Sequence, residues 1–136
     1  MRALRNIHSA LRPGGLLLDI HPEPSHPQFE ALTDGQATPI GSLDFSYRFG
    51  SVFAGRASLQ SVVDAHLFVR ERETTFVFIY HFATIDIWLD HVATRWSDAR
   101  IPVGVTEHAR EALASGHGTL RVLREIHAAR LRKPRE

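Results

Sequence analysis

The chain has 136 residues, 43% of them hydrophobic, which suits one domain spanning 1–136 with a real core. Sixteen basic and fifteen acidic residues leave a net charge of +1, which argues against nucleic acid or an anionic membrane surface as a partner. The absence of cysteine excludes disulfides and thiolate catalysis and favours a cytoplasmic location. No apolar run approaches the roughly 20 residues of a membrane span.

The N-terminal part predicts a helix, a tight turn and a buried strand. Residues 3–12 carry apolar side chains at helical spacing, and Pro13 followed by two glycines ends that helix. Residues 16–20 read LLLDI, and we expect a short strand there, buried on both faces as in a parallel sheet. Residues 22–43 are rich in proline and predict a loop, with one helical turn at 29–32.

The middle of the chain predicts alternating extended and helical segments. Residues 43–53 alternate in polarity and predict an extended segment, and residues 58–71 predict a helix capped by its first serine. The β-branched and aromatic residues of 74–83 predict the strongest strand. Helices are expected at 84–96 and at 107–114.

The C-terminal segment is ambiguous by periodicity alone. Residues 119–131 place apolar side chains at a spacing that suits a helix and, in part, a strand. The charged tail 132–136 is expected to fray. The basic residues from Arg121 to Arg135 could contact phosphates, but a solvated terminus is the simpler interpretation.

The order helix, LRPGG turn and strand LLLDIHP resembles one region of the class I S-adenosylmethionine-dependent methyltransferases. In that family a helix leads through a leucine-basic-proline-glycine-glycine turn into the fifth strand, which closes the parallel part of the sheet. The downstream order also resembles the family's C-terminal half, which ends in an antiparallel strand pair. The resemblance implies a small mixed α/β sheet: one parallel-type strand at 16–21, antiparallel strands near 75–83 and 119–131, and helices packed on it.

The sequence departs from that family where the cofactor would bind. The family holds S-adenosylmethionine with a glycine-rich loop after its first strand and an acidic residue that ends its second, and neither motif is present. The one Gly-x-Gly is at 116–118, with Arg121 where a third glycine would stand, and it predicts a helix-capping turn. We therefore expect no cofactor to bind the isolated chain.

The chain thus looks like half a methyltransferase whose start falls inside a helix. A truncated gene product, a subunit completed by a partner that supplies the N-terminal half, and an expressed fragment are three origins that the sequence leaves open. Without neighbouring strands, the apolar strand at 16–20 would expose an edge. We expect a homodimer in which residues 1–21 contribute to the interface.

Candidate functional residues cluster where the first predicted strand ends. Asp19, His21, Glu23 and His26 are metal ligands by type, but their spacing matches no fixed motif, and we expect no metal. Asp19 and His21 would share one face of an extended strand. Ligands of open α/β sheets bind beyond the carboxyl ends of strands, so we expect this pair beside a solvent-open concavity. The simpler interpretation is a strand end whose polar groups meet water.

Tyr80 and His81 are the second pair of substrate-pocket candidates, on the strand predicted at 74–83. His81 could act as a general base, although a lone histidine in an aromatic strand is more often structural. Trp88 and Trp96 lie eight residues apart on one helical face and predict core anchors. No Gly-x-Ser-x-Gly elbow supports a serine nucleophile, and no catalytic residue can be assigned.

Two hypotheses of function follow. The first is an acceptor-side fragment of a methyltransferase that shapes a small-molecule pocket but cannot hold the methyl donor alone. The second is a non-catalytic module for small-molecule binding or protein assembly, with the aromatic segment 45–53 and the Trp-bearing helix as its interface. Whether the chain is an enzyme, and which acceptor it would take, remain open at this stage.

Overall fold

The structure is a computed structural model that describes residues 2–135. Within that range the chain forms four α-helices, five strands and a short 3₁₀ helix at Ser46–Arg48. In chain order the elements are α1 (Arg2–Ala10), β1 (Leu16–Pro22), β2 (Gln28–Thr33), β3 (Gln36–Ser42), α2 (Phe49–Asp64), β4 (Val69–Phe82), α3 (Ile85–Arg95), α4 (Val105–Ala112) and β5 (Gly118–Arg132).

The strands form one sheet in the order β1-β5-β2-β3, and β4 also pairs with β5. This confirms an α/β protein in which residues 74–83 and 119–131 lie in neighbouring strands. The expectation of a parallel-type strand at 16–21 is wrong, because β1 runs antiparallel to β5 and no parallel pair is shown within residues 2–135. The chain after β1 turns into the β2–β3 hairpin, whereas a parallel partner would need a long crossover connection.

The two faces of β1 differ, contrary to the expectation that both are buried. Leu16, Leu18 and Ile20 are 44%, 64% and 63% exposed. Leu17, on the alternate face, packs against a buried apolar cluster. Burial along β1 therefore alternates with the period of two that is usual for a strand covered on one face, although the leucines do not alternate with polar residues.

The hairpin β2–β3 replaces the loop and helical turn expected at 22–43. Asp34 and Gly35 take positive φ angles of 51° and 76°, which suits the two-residue turn of a hairpin. Phe29 is fully buried on β2. Pro39 argued for a loop, but it lies on β3 at the end of the strand order, where a missing N–H is tolerated.

The extended segment expected at 43–53 is also wrong. The Asp44 carboxylate accepts a hydrogen bond from the Ser46 backbone N–H at 2.9 Å, and this turn leads into the 3₁₀ helix and then α2. Helix α2 therefore begins nine residues before the predicted serine cap at Ser58. The helix expected at 84–96 is confirmed as α3, where the Thr84 hydroxyl accepts from the Ile87 N–H at 3.2 Å.

The start of the C-terminal tail is anchored, which corrects the expectation that it frays. Lys133 Nζ donates to the carbonyl oxygens of His8 and Leu11, both at 2.9 Å, and so caps the end of α1. The Lys133 backbone also pairs with Gly14 and Gly15. The last residue of the predicted tail, at position 136, lies outside the described residues.

The chain divides into two compact units, each with its own apolar core. The first unit comprises residues 1–23, 50–76 and 126–136, and its core consists of Leu59, Val62, Phe68, Ala129 and Leu131. The second unit comprises residues 24–49 and 77–125, and its larger core includes Phe29, Leu43, Phe45, Trp88, Trp96, Leu120 and Val122.

Candidate functional site

The first unit contains a polar cleft of about 510 Å³. Strands β1, β4 and β5 and helix α2 contribute to its walls. Its polar lining consists of His21, Glu23, Arg56, Gln60, Arg70, Glu73 and His127. A cleft of this volume falls within the range that takes small ligands.

Asp19 and His21 form a hydrogen-bonded pair at one wall of the cleft. They stand two residues apart on β1, and so share one face, as the sequence predicted. His21 Nδ1 lies 2.8 Å from Asp19 Oδ2, while Arg56 Nε–H donates to His21 Nε2 at 3.2 Å. Because Nε2 must offer a lone pair to Arg56, the proton lies on Nδ1 and is donated to Asp19. The result is an oriented neutral imidazole whose basic nitrogen faces Arg56.

A second histidine lies directly opposite the first. His127 on β5 is the register partner of His21, and the two ring centroids are 5.0 Å apart. His127 Nδ1 is 3.5 Å from Glu23 Oε1, and its Nε2 is 3.5 Å from Glu73 Oε1. The His127 ring is therefore held between two carboxylates.

The arginines of the cleft pair with those same carboxylates. Arg56 forms an ion pair with Glu23, and Arg70 Nη1 lies 3.2 Å from Glu73 Oε1. Arg70 Nη2 also donates to Gln60 Oε1 at 3.0 Å. Within residues 2–135, the buried Arg70 Nε has no hydrogen-bond partner. Arg56 and Arg70 thus balance the charges of Glu23 and Glu73, and Arg70 Nε is a buried donor that a ligand could use.

This arrangement combines a fixed acceptor nitrogen with donors and carboxylates around an open space. A neutral imidazole that another residue orients can accept a proton from a hydroxyl or an ammonium group. The carboxylates can bind an amine, and the guanidinium groups can bind an oxygen acceptor. Small molecules with hydroxyl or amine groups match the lining best.

The D-x-H-x-E-x-x-H segment does not act as one ligand set. Asp19, His21 and Glu23 belong to the first unit, whereas His26 belongs to the second, where its Nδ1 accepts from the Phe45 N–H at 3.2 Å. Within residues 2–135, no group of three or more His, Asp or Glu side chains is arranged to hold a metal ion.

The other predicted pair lies elsewhere in the fold. Tyr80 belongs to the second unit, where its ring meets Trp96 edge-on at 5.1 Å. His81 is exposed, and neither residue lines the cleft. Trp88 and Trp96 are 0% and 5% exposed, which confirms them as core anchors and removes them from the proposed assembly surface.

Five polar residues of the cleft were not predicted from the sequence: Arg56, Gln60, Arg70, Glu73 and His127. Arg56 offered a signal, because it is the one charged residue inside α2 before the terminal Asp64. A single charge in an otherwise uncharged helix often serves a specific contact. Glu73 and His127 offered none, because strand register decides whether their side chains face the cleft.

The Gly-x-Gly segment at 116–118 does not form a cofactor-binding loop. A Cβ at Gly118 would collide with the Leu113 and Thr33 side chains, so this glycine serves close packing and leaves no space for a ligand. Gly116 adopts a φ of 77° in the turn between α4 and β5. The Gly-x-Gly is therefore a packed turn, as the sequence predicted, and no cofactor cradle forms there.

Comparison with protein-family models, curated proteins and solved structures finds no match to this chain. None of the helices within residues 2–135 is both long and apolar enough to span a bilayer.

Proposed function

We propose that the chain binds a small hydroxyl- or amine-bearing molecule in the cleft, as the acceptor-side part of a methyltransferase-like protein. The observation that carries the proposal is the His21 geometry. Asp19 holds the Nδ1 proton at 2.8 Å, which leaves Nε2 as the acceptor toward the cleft. Asp19 on the same strand orients the ring, and Arg56 on α2 defines Nε2 as the acceptor, which a strand end that meets only water would not do.

Arg56 can make room for this ligand. It donates to His21 Nε2 but also forms an ion pair with Glu23, so it keeps a partner when it releases the imidazole. A bound hydroxyl or amine would replace Arg56 as the donor to Nε2. His127, Glu23 and Glu73 can bind a further polar group of the same ligand.

The methyltransferase-like part of the proposal rests on the turn before β1 and on its neighbours. Pro13 and two glycines connect α1 to β1, and Gly14 takes a φ of 75°, which explains the glycine in the LRPGG motif. The pairing of β4 with β5 is consistent with the terminal strand pair of that family. The methyl donor would be held by residues other than these, and the chain alone does not bind it.

Amide NMR spectra of the ¹⁵N-labelled chain test the proposal. We expect a panel of ethanolamine, glycerol and catechol to include a compound that shifts the amides of β1 and α2 around His21 and Arg56. Shifts confined to other parts of the chain would contradict the cleft as the site. S-adenosylmethionine binding with a Kd near or below ~10 μM would contradict the cofactor part alone.

A second candidate, assembly with a second copy through β1, has its own support. β1 has no strand partner besides β5 in the part of the chain that the structure describes, so one backbone edge is open. Leu18 and Ile20 are exposed and line a groove of about 210 Å³, to which β4 and β5 also contribute side chains that include Arg72 and Arg130. Two copies related by a two-fold axis can pair their β1 edges in antiparallel fashion and cover both side chains.

A further inference from the structure

Arg124 is the one charged residue buried within residues 2–135, with 7% of its surface exposed. It lies on β5 in the second unit. Leu120 and Val122, at alternate positions on the same strand, are fully buried. The sheet therefore places a guanidinium where its alternation requires an apolar side chain. Burial of a charge costs free energy unless partners compensate for it.

The immediate partners of Arg124 are aromatic rings and phenol hydroxyls. Its Cζ atom lies 4.9 Å from the centroid of the buried Phe45 ring, in a cation–π contact. The Tyr80 hydroxyl interacts with the guanidinium and raises the pKa of Arg124. Arg121, three residues earlier on the same strand, instead pairs with Glu30 at 2.7 Å. No carboxylate within residues 2–135 forms an ion pair with Arg124.

A second guanidinium reaches the same ring. Arg48 Cζ is 5.9 Å from the Phe45 centroid, and Arg48 Nε donates to Tyr47 Oη at 2.8 Å. Burial and the like charge of Arg48 lower the pKa of Arg124, while Tyr80 and Tyr47 oppose that shift. The fold thus holds two cations together around one aromatic ring and leaves Arg124 without a counter-charge.

The two phenol groups add donors to this arrangement. A tyrosine oxygen that accepts from a guanidinium still has its own O–H to donate. Tyr47 is 40% exposed, so this group of residues reaches solvent on that side. Two guanidinium groups and a tyrosine hydroxyl thus lie around the Phe45 ring, and such groups match the oxygens of a carboxylate or a phosphate, which accept several hydrogen bonds at once.

We propose that Arg124, Arg48, Tyr47 and Tyr80 form a binding site for an oxyanion, the carboxylate or phosphate group of a small ligand. The anion supplies the charge that Arg124 lacks and relieves its repulsion with Arg48. The site is built from residues of the second unit alone and does not depend on the cleft proposal.

Thermal unfolding in inorganic phosphate, in acetate and in sodium chloride at equal ionic strength tests the site. We expect phosphate or acetate to raise the midpoint in a saturable way beyond the chloride control, because a ligand that binds the folded state stabilises it. Stabilisation by phosphate alone or by acetate alone identifies which of the two groups the site takes. Equal midpoints in all three salts would overturn the proposal.

Arg124→Met removes the charge and keeps a long apolar stem, and Arg121→Gln is the matched control on the same strand. We expect the affinity for the active anion to fall at least about tenfold in Arg124→Met and to persist in Arg121→Gln. Unchanged affinity in Arg124→Met would overturn the proposal. If that variant does not fold, the NMR signal of the Arg124 Nε–H group in the native chain serves instead. We expect this signal to shift when the anion is titrated, and an unshifted signal would overturn the proposal.

Discussion

His21 and His127 occupy facing positions in the β1–β5 ladder, and their ring centroids lie 5.0 Å apart. Each ring has carboxylate partners of its own, Asp19 for His21 and the Glu23 and Glu73 pair for His127. Arg56 donates to His21 and pairs with Glu23, and so connects the two sets. The two histidines are thus parts of one polar network along the cleft.

The network predicts the tautomer of His21. At mildly alkaline pH, long-range ¹H–¹⁵N spectra should give the Nδ1–H form for His21, because Asp19 and Arg56 fix opposite roles on its two nitrogens. Asp19→Asn weakens that preference by replacing an anionic acceptor with an amide. A native His21 in the Nε2–H form would contradict the Arg56 contact, and the exposed His81 serves as the unconstrained reference.

A second prediction concerns how the stability of the fold decreases at acid pH. Hydrogen bonds from Arg132, with a further contribution from Arg130, lower the pKa of Glu71 below its ordinary value of 4.5. A lowered carboxyl pKa stabilises the fold above the unfolded-state value, and that contribution is lost as pH falls through the folded-state value.

We therefore expect Glu71→Gln to lower the unfolding midpoint at pH 7. The gap between the native chain and the variant should narrow below about pH 4.5. Glu107→Gln, which removes an exposed pair with Arg110, is the control and should change little. A Glu71→Gln gap that stays constant down to pH 2 would contradict the linkage.

A third prediction concerns His91 in the second unit. Its ring lies 4.5 Å from Trp96 and 5.2 Å from Phe82, and its Nε2 is buried without a hydrogen-bond partner within residues 2–135. Phenylalanine keeps the ring and removes the unpaired polar atom, so His91→Phe should stabilise the fold by up to about 1 kcal/mol. His91→Ala should destabilise it by about 2 kcal/mol through the cavity it leaves. A lower midpoint for His91→Phe would show that the nitrogen has an essential partner.

A fourth prediction concerns assembly through β1. Light scattering behind size exclusion at tens of micromolar should give about twice the chain mass of 15.3 kDa. Leu18→Glu and Ile20→Glu place charges on the exposed face of β1 and should return the mass to one chain. Val103→Glu, at a fully exposed position between α3 and α4, should not. A native mass near 15.3 kDa would remove the dimer proposal.

The sequence predicted elements best where local chemistry determines them. The helix cap at Thr84 predicted α3, and the aromatic run after Thr75 predicted most of β4. Both signals depend only on a few neighbouring residues, and so they can be recognised in the sequence. The β2–β3 hairpin was missed although Asp34-Gly35 is a strong turn signal, because the four prolines between residues 22 and 39 predicted a loop. The exposed face of β1 was missed because Leu16 to Leu18 are all apolar and mask the alternation.

The candidate site could be predicted only in part, for a related reason. Asp19 and His21 stand two residues apart, so the period of a strand brings them together without any tertiary information. His127 meets His21 across 106 positions of sequence, and a shift of one residue in register would turn it to the other face of the sheet. Arg56 depends likewise on how α2 packs in the first unit.

Binding in the cleft is tested most directly by titrating the panel compound that gives the largest amide shifts into three proteins. These are the native chain, His21→Gln and His81→Gln, which alters an exposed histidine outside the cleft. We expect an affinity at least about tenfold weaker for His21→Gln, which loses the oriented acceptor, and an unchanged affinity for His81→Gln. Equal affinities for the native chain and His21→Gln would contradict binding at His21.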